Sequence, residues 1–159
     1  MNVVRYLCLL ALGSTSLSAA PQIVNARART TLDLDGKWAT IVDPYDNGYL
    51  DYRGKPYDEK TPASGGYFLD KKPENPSELV EYDFDHADTL WVPRDWNSQT
   101  EKLFYYEGSV WYRKKFALPV SSDSSHRYFV HFGGANYETD VYLNGEKLGR
   151  HVGGFTPFA

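Results

Sequence analysis

Val141-Tyr142-Leu143-Asn144-Gly145-Glu146-Lys147-Leu148-Gly149 is the stretch that decides the fold class. Asn-Gly between β-rich residues suits a type I′ turn, because both central residues of that turn need positive φ. The spacing predicts a hairpin between Thr139–Leu143 and Glu146–His151. Working outward, Tyr128–Phe132 is a strand candidate stopped by Gly133-Gly134, and Val110–Leu118 another, stopped by Pro119. In the latter, Val110, Tyr112, Phe116 and Leu118 share one face, while Trp111, Arg113 and Lys115 share the other. Ser121–Ser125 reads as a flexible connection. Further upstream, Thr89–Val92 ends at Pro93, and Trp38–Val42 ends at Asp43-Pro44.

Residues 43–78 break this rhythm. They are rich in Gly, Pro, Tyr and charge, show no alternation for a core, and read as a long decorated loop. Only Pro76–Tyr82 has the composition for one or two helical turns. No segment carries a 3.6-residue apolar period over ten residues. Short strands, Gly/Pro punctuation and long loops predict an all-β sandwich or barrel.

Composition narrows the function classes. Of 159 residues, 42% are hydrophobic and 24% charged, as in ordinary globular proteins. The aromatic share is high at 16%, with 13 Tyr, 8 Phe and 4 Trp, which favours strands and offers stacking faces. Seventeen basic against 21 acidic residues give a net charge of −4, which lacks the basic footprint of a nucleic-acid binder. There is no zinc-type His/Cys spacing, no phosphate-cradling loop and no dinucleotide fingerprint, so no cofactor or metal is expected.

The N-terminus reads as an address. Arg5 supplies the charge, Tyr6–Leu12 the short apolar run and Ser14–Ala20 the small residues of a secretory signal peptide. The run is far shorter than the ~20 residues of a membrane span. Residues 1–20 are therefore expected to be cleaved, 21–31 to form a linker and 32–159 the domain. The product is expected in the periplasm or outside the cell, with no membrane attachment after cleavage. Cleavage also removes Cys8, the one cysteine, so sixteen basic against 21 acidic residues remain and the net charge becomes −5. The remaining chain is held by core packing without disulfides.

Five motifs follow one another in order: Leu34-Asp35-Gly36-Lys37-Trp38, Trp91-Val92-Pro93-Arg94-Asp95-Trp96, Tyr106–Phe116 (YEGSVWYRKKF), Val141–Gly149, and His151–Phe158 (HVGGFTPF). Together they resemble the N-terminal sugar-binding domain of glycoside hydrolase family 2, which includes β-glucuronidases, β-galactosidases and β-mannosidases. The resemblance covers roughly residues 32–159. It implies a jelly-roll β-sandwich of the galactose-binding-domain type, followed in the family by an immunoglobulin-like sandwich and a TIM barrel that carries two catalytic glutamates. It also implies that the sandwich continues beyond Phe158, that the chain is a fragment without its last strands, and that the domain packs on a barrel and an immunoglobulin-like domain. The implied function is a non-catalytic carbohydrate-binding domain of an exported β-glycosidase acting on β-glycosides, in a parent that assembles as a homo-oligomer. The alternative is a stand-alone secreted carbohydrate-binding module or adhesin. Residues 43–88 are longer than in the shortest family members, and their role is open.

No catalytic residue is assigned. Substrate-binding candidates are Tyr106 and Glu107, beside Gly108, and His151, before Gly153-Gly154. For Glu107 the competing reading is a loop carboxylate capping backbone N–H groups, because retaining hydrolysis needs two carboxylates about 5–5.5 Å apart. For His151 it is a strand-end histidine bonded locally. Trp96, Trp111 and Tyr112 could stack on a pyranose, but core burial accounts for each. Asp83, Asp85 and Asp88, near His86, read as a solvated segment rather than a metal site. Arg113, Lys114 and Lys115 alternate in direction and so form no single basic patch.

Overall fold

A computed structural model describes residues 23, 25, 28–57, 65–118 and 127–159. The signal-peptide segment 1–20, much of the 21–31 linker and the Ser121–Ser125 connection lie outside the described residues.

The described residues are all-β. Strand β1 (Gly36–Asp43) lies between β2 (Thr89–Val92) and β3 (Ser109–Arg113), antiparallel to both. Strands β4 (Glu138–Leu143) and β5 (Glu146–Val152) form a separate antiparallel hairpin. Two single 3₁₀ turns, Tyr67–Leu69 and Glu101–Leu103, are the helical elements among the described residues. No helix there is long and apolar enough to cross a membrane.

The Asn-Gly reading holds at the backbone. Asn144 sits at φ 51° and Gly145 at φ 85°, with Leu143 paired to Glu146 across the turn. Tyr142 lies opposite Lys147, as the turn sets it, and a register shift between Val141 and Tyr142 then skips Leu148 and places Val141 opposite Gly149. Such an irregularity re-aims a side chain, and the Tyr142 ring stacks on Phe68 at 4.5 Å and approaches Trp111 at 5.9 Å. The hairpin thus docks on the sheet through aromatic contacts.

Three expectations need correction. Val110–Leu118 pairs only as far as Arg113; Lys114 then donates across the sheet to the Lys37 carbonyl at 3.1 Å, and Phe116 and Leu118 are exposed. Tyr128–Phe132 forms no strand. Its single bridge joins Phe132 to Phe158, whose rings stack at 4.8 Å, while Tyr128 and Phe129 remain exposed. Pro76–Tyr82 makes no helical turn.

The long loop is also more than decoration. Tyr67 and Phe84 come from residues 43–88 and are, with Leu90, Leu103 and Phe158, the buried hydrophobic side chains among the described residues. The Tyr67 ring lies 5.8 Å from Trp111, on the face of β3 that also presents Arg113. The loop therefore covers that sheet face. An alternation test misses this, because each aromatic arrives singly from an irregular segment rather than from a patterned strand.

Candidate functional site

The sequence-derived site residues fall into two separate local clusters. Tyr106 belongs to the loop after the 3₁₀ turn Glu101–Leu103. Its hydroxyl donates to the Ser109 carbonyl at 2.9 Å. Its own carbonyl accepts from Trp96 Nε1 at 3.3 Å and from Asn97 Nδ2 at 3.0 Å. Asn97 Nδ2 also reaches the Leu103 carbonyl at 2.6 Å. Trp96 and Asn97 thus act as a clasp on residues 103–106. Gly108 fits close to this clasp: a Cβ there would lie 2.6 Å from the Tyr106 hydroxyl. Burial pushes the Tyr106 phenol up, and Asp43 and Asp46 add to the shift. The hydroxyl stays protonated as a donor. Glu107 is exposed on the rim of this loop.

His151 lies on β5 opposite Thr139. Its ring stacks on Phe158 with centroids 4.0 Å apart, and Nε2 sits 3.4 Å from Thr156 Oγ1. These partners come from residues 139–158, whereas those of Tyr106 come from 96–109. Trp96, Trp111 and Tyr112 are each half-buried among neighbours, which fits their reading as packing residues.

Two constellations escaped the sequence reading. The first centres on Asp43, the last residue of β1 and 3% exposed. Its Oδ1 accepts from the Asn47 amide at 2.9 Å, and Oδ2 from the Gly48 amide and Trp111 Nε1 at 2.8 and 2.9 Å. One carboxylate closes the 43–48 turn and ties it to β3. The only sequence signal was Asp43-Pro44 as a strand stop.

The second is an ion-pair network built on Asp83 and Asp85, both of which are exposed, in keeping with their reading as a solvated segment. Asp85 pairs with Lys72 at 2.9 Å, with Arg113 Nη2, and with Lys115 at 3.0 Å. Arg113 Nη1 reaches Asp70 at 2.6 Å, and its guanidinium lies 5.0 Å from the Phe84 ring centroid. Lys72, Arg113 and Lys115 hold the Asp85 carboxyl well below the usual range. Asp83 pairs with His86, which lowers the carboxyl and raises the imidazole. Arg113 and Lys115 do share one face, but carboxylates of the loop neutralise them, so they offer no anion site. Among the described residues no group of three or more His, Cys, Asp or Glu could hold a metal ion.

On the hairpin, Arg150 and Lys147 grip Asp140 at 2.7 and 3.0 Å, and both cations lie near the Tyr49 ring. Burial opposes ionisation of Asp140, but the two cations keep its pKa lowered. These contacts bind the hairpin to the start of the long loop.

No family model matches the chain. Curated relatives do. A β-galactosidase of Thermoanaerobacter pseudethanolicus is 31% identical over 91 residues, covering 54% of this chain and 12% of that protein. A β-glucuronidase of Streptococcus agalactiae is 32% identical over 87 residues, covering 53% and 14%. A β-glucuronidase of Chlorocebus aethiops is 28% identical over 137 residues, covering 84% of this chain and 18% of the relative. These similarities support a relationship to glycoside hydrolase family 2. The chain spans less than a fifth of the length of these relatives.

Proposed function

We propose that residues 32–159 are the N-terminal, non-catalytic carbohydrate-binding domain of an exported family 2 β-glycosidase, with a β-glucuronidase or β-galactosidase as the parent activity. The observation that carries this reading is the ordered set of five motifs, together with the similarity to enzymes bearing those two names. An all-β chain whose hairpin docks on an antiparallel sheet is compatible with the jelly-roll sandwich that the resemblance implies. Chemistry then belongs to a barrel elsewhere in the parent, where a retaining pair of carboxylates would stand about 5–5.5 Å apart. Glu107 supports that division of labour, because it is a single exposed carboxylate on a loop rim.

In this reading residues 1–20 direct export and are removed, and the domain packs beside the barrel in a homo-oligomeric parent. The test is to read the coding sequence past codon 159 and assay the encoded protein on aryl β-glucuronide and β-galactoside. An open frame continuing into an immunoglobulin-like segment and a barrel, with turnover of one substrate, is the expected result. A stop codon at that point would replace the proposal with a stand-alone secreted binding module.

A further inference from the structure

The long loop that covers the sheet encloses a concavity of about 210 Å³ away from Tyr106, Glu107 and His151. Tyr57, Tyr67 and Tyr82 line it, with Asn47, Glu81 and Leu79 at the same opening. Its floor is fixed. The Tyr67 amide donates to the Gly48 carbonyl at 3.0 Å, and the Tyr67 and Tyr82 rings lie 4.3 Å apart. The Tyr82 hydroxyl donates to the Gly66 carbonyl at 3.2 Å and accepts the Lys71 amide at 2.9 Å.

Gly65 and Gly66 belong to the wall. A Cβ on Gly65 would come within 2.7 Å of the Tyr57 ring. On one rim, Asn47 Nδ2 donates to Glu81 Oε1 at 3.1 Å, and both residues line the opening with a further side-chain acceptor oxygen each. Leu79 is 98% exposed, an apolar side chain held in water at the mouth.

We propose that this concavity is a saccharide subsite for a single neutral pyranose residue. A pyranose presents an apolar C–H face and a ring of hydroxyls that both donate and accept. Tyrosine rings with an adjacent leucine match the face, and a carboxylate beside a carboxamide matches the hydroxyls. The volume lies below the ~300–1,000 Å³ of drug-sized pockets, which limits the occupant to about one sugar unit.

Charge selects against a uronate. Among the described lining residues Glu78 and Glu81 stand against Lys71, so an anionic sugar would meet two carboxylates and one ammonium of that set. Burial and then Glu81 push the Tyr67 phenol up to about 12, and burial and Glu81 also raise Tyr57. Both hydroxyls therefore remain donors at neutral pH.

The ligand class rests on the carbohydrate reading above, but the residues are different, and the test separates the two. The probes are methyl β-D-glucopyranoside, methyl β-D-galactopyranoside and sodium glucuronate, titrated against the full chain by ligand-observed NMR. A neutral glycoside should show saturation transfer, with glucuronate at least about tenfold weaker. Glu81→Gln, an exposed and structurally mild change, and Tyr57→Ala should each weaken the neutral glycoside by about tenfold or more. Tyr57→Phe, which keeps the ring, should stay within about threefold. Lys102→Ala, on the 3₁₀ turn of another loop, should bind as the parent chain does. Undiminished binding in both Glu81→Gln and Tyr57→Ala overturns the subsite. If Tyr106→Ala or His151→Ala abolishes binding instead, the subsite falls while the carbohydrate reading stands. Absence of binding by every probe overturns both.

Discussion

Asp43→Ala should be the most damaging single substitution in the described structure. The carboxylate takes three N–H donors: the Asn47 and Gly48 amides and Trp111 Nε1. Truncation leaves all three without their acceptor at a residue only 3% exposed. A hydrogen bond to a charged group contributes about 1.5–3 kcal/mol, so the three together set an upper range of roughly 4.5–9 kcal/mol. Asn47 is exposed and Trp111 half-buried, so water recovers part of the loss at two donors. The net cost is then about 3–4 kcal/mol, a large share of the 5–15 kcal/mol typical of a domain. Asp43→Asn separates hydrogen bonding from volume. With its one carbonyl oxygen at the Oδ2 position it keeps Gly48 and Trp111 and loses Asn47, for about 1–1.5 kcal/mol. The assay is urea denaturation followed by tryptophan fluorescence, which reports the Trp111 indole together with Trp38, Trp91 and Trp96. Equal midpoints for Asp43→Ala and the parent chain would refute the claim that this carboxylate ties the 43–48 turn to β3. So would an Asn variant as damaged as the Ala variant.

Gly145→Val should cost about 1–3 kcal/mol, because a β-branched residue is forced to positive φ. A Cβ there also meets Leu69 Cδ2 at 3.4 Å, and an unchanged thermal midpoint would count against the turn. His86 should titrate above 6.5 by NMR, because its bond to Asp83 raises the imidazole. Its stabilising contribution is complete below 6.5 and fades as pH rises through the raised value, and Asp83→Asn should return the imidazole toward 6.5. In the parent enzyme, Glu107→Gln should leave turnover within about tenfold, about 1.4 kcal/mol of barrier, as steady-state kinetics would show. A fall of several orders of magnitude with the fold intact would make Glu107 catalytic. Mass spectrometry of the exported protein should find its N-terminus between residues 19 and 22, and an intact Met1 would refute export by cleavage.

Legibility in the sequence followed locality. Asn144-Gly145 fixes its own dihedrals within two residues, so the hairpin and its turn were readable, whereas the shift that skips Leu148 was not. Thr89–Val92 was readable because Pro93 removes the next ladder donor. Tyr128–Phe132 carries the same β-rich composition, yet only Phe132 pairs, and with a residue 26 positions away. Composition reports that a segment can be a strand; a partner decides whether it becomes one. Val110–Leu118 ends early for a related reason. Arg113 is drawn to Asp70 and Asp85 on one side and Lys114 to the Lys37 carbonyl on the other, so side chains rather than a ladder hold the chain there.

The site was less legible, because its chemistry is spread over contacts between segments that lie far apart in the chain. Asp43 and Trp111 are 68 residues apart, and Arg113 and Asp70 are 43 apart. No spacing rule links such pairs, whereas Glu107 attracted notice only because it stands beside Tyr106 and Gly108. The irregularity that made residues 43–88 look like a mere loop is what lets them place Tyr67 against the sheet while bringing Tyr57 and Glu81 to one opening. A strand would send alternate side chains to opposite faces. A chain turning at Gly48, Gly65 and Gly66 can bring aromatic and polar side chains onto the same side. Aromatic residues and glycines interleaved with carboxylates in an unpatterned segment are therefore the signal that would have located the concavity, and substitution at Tyr57 and Glu81 measures what that signal is worth.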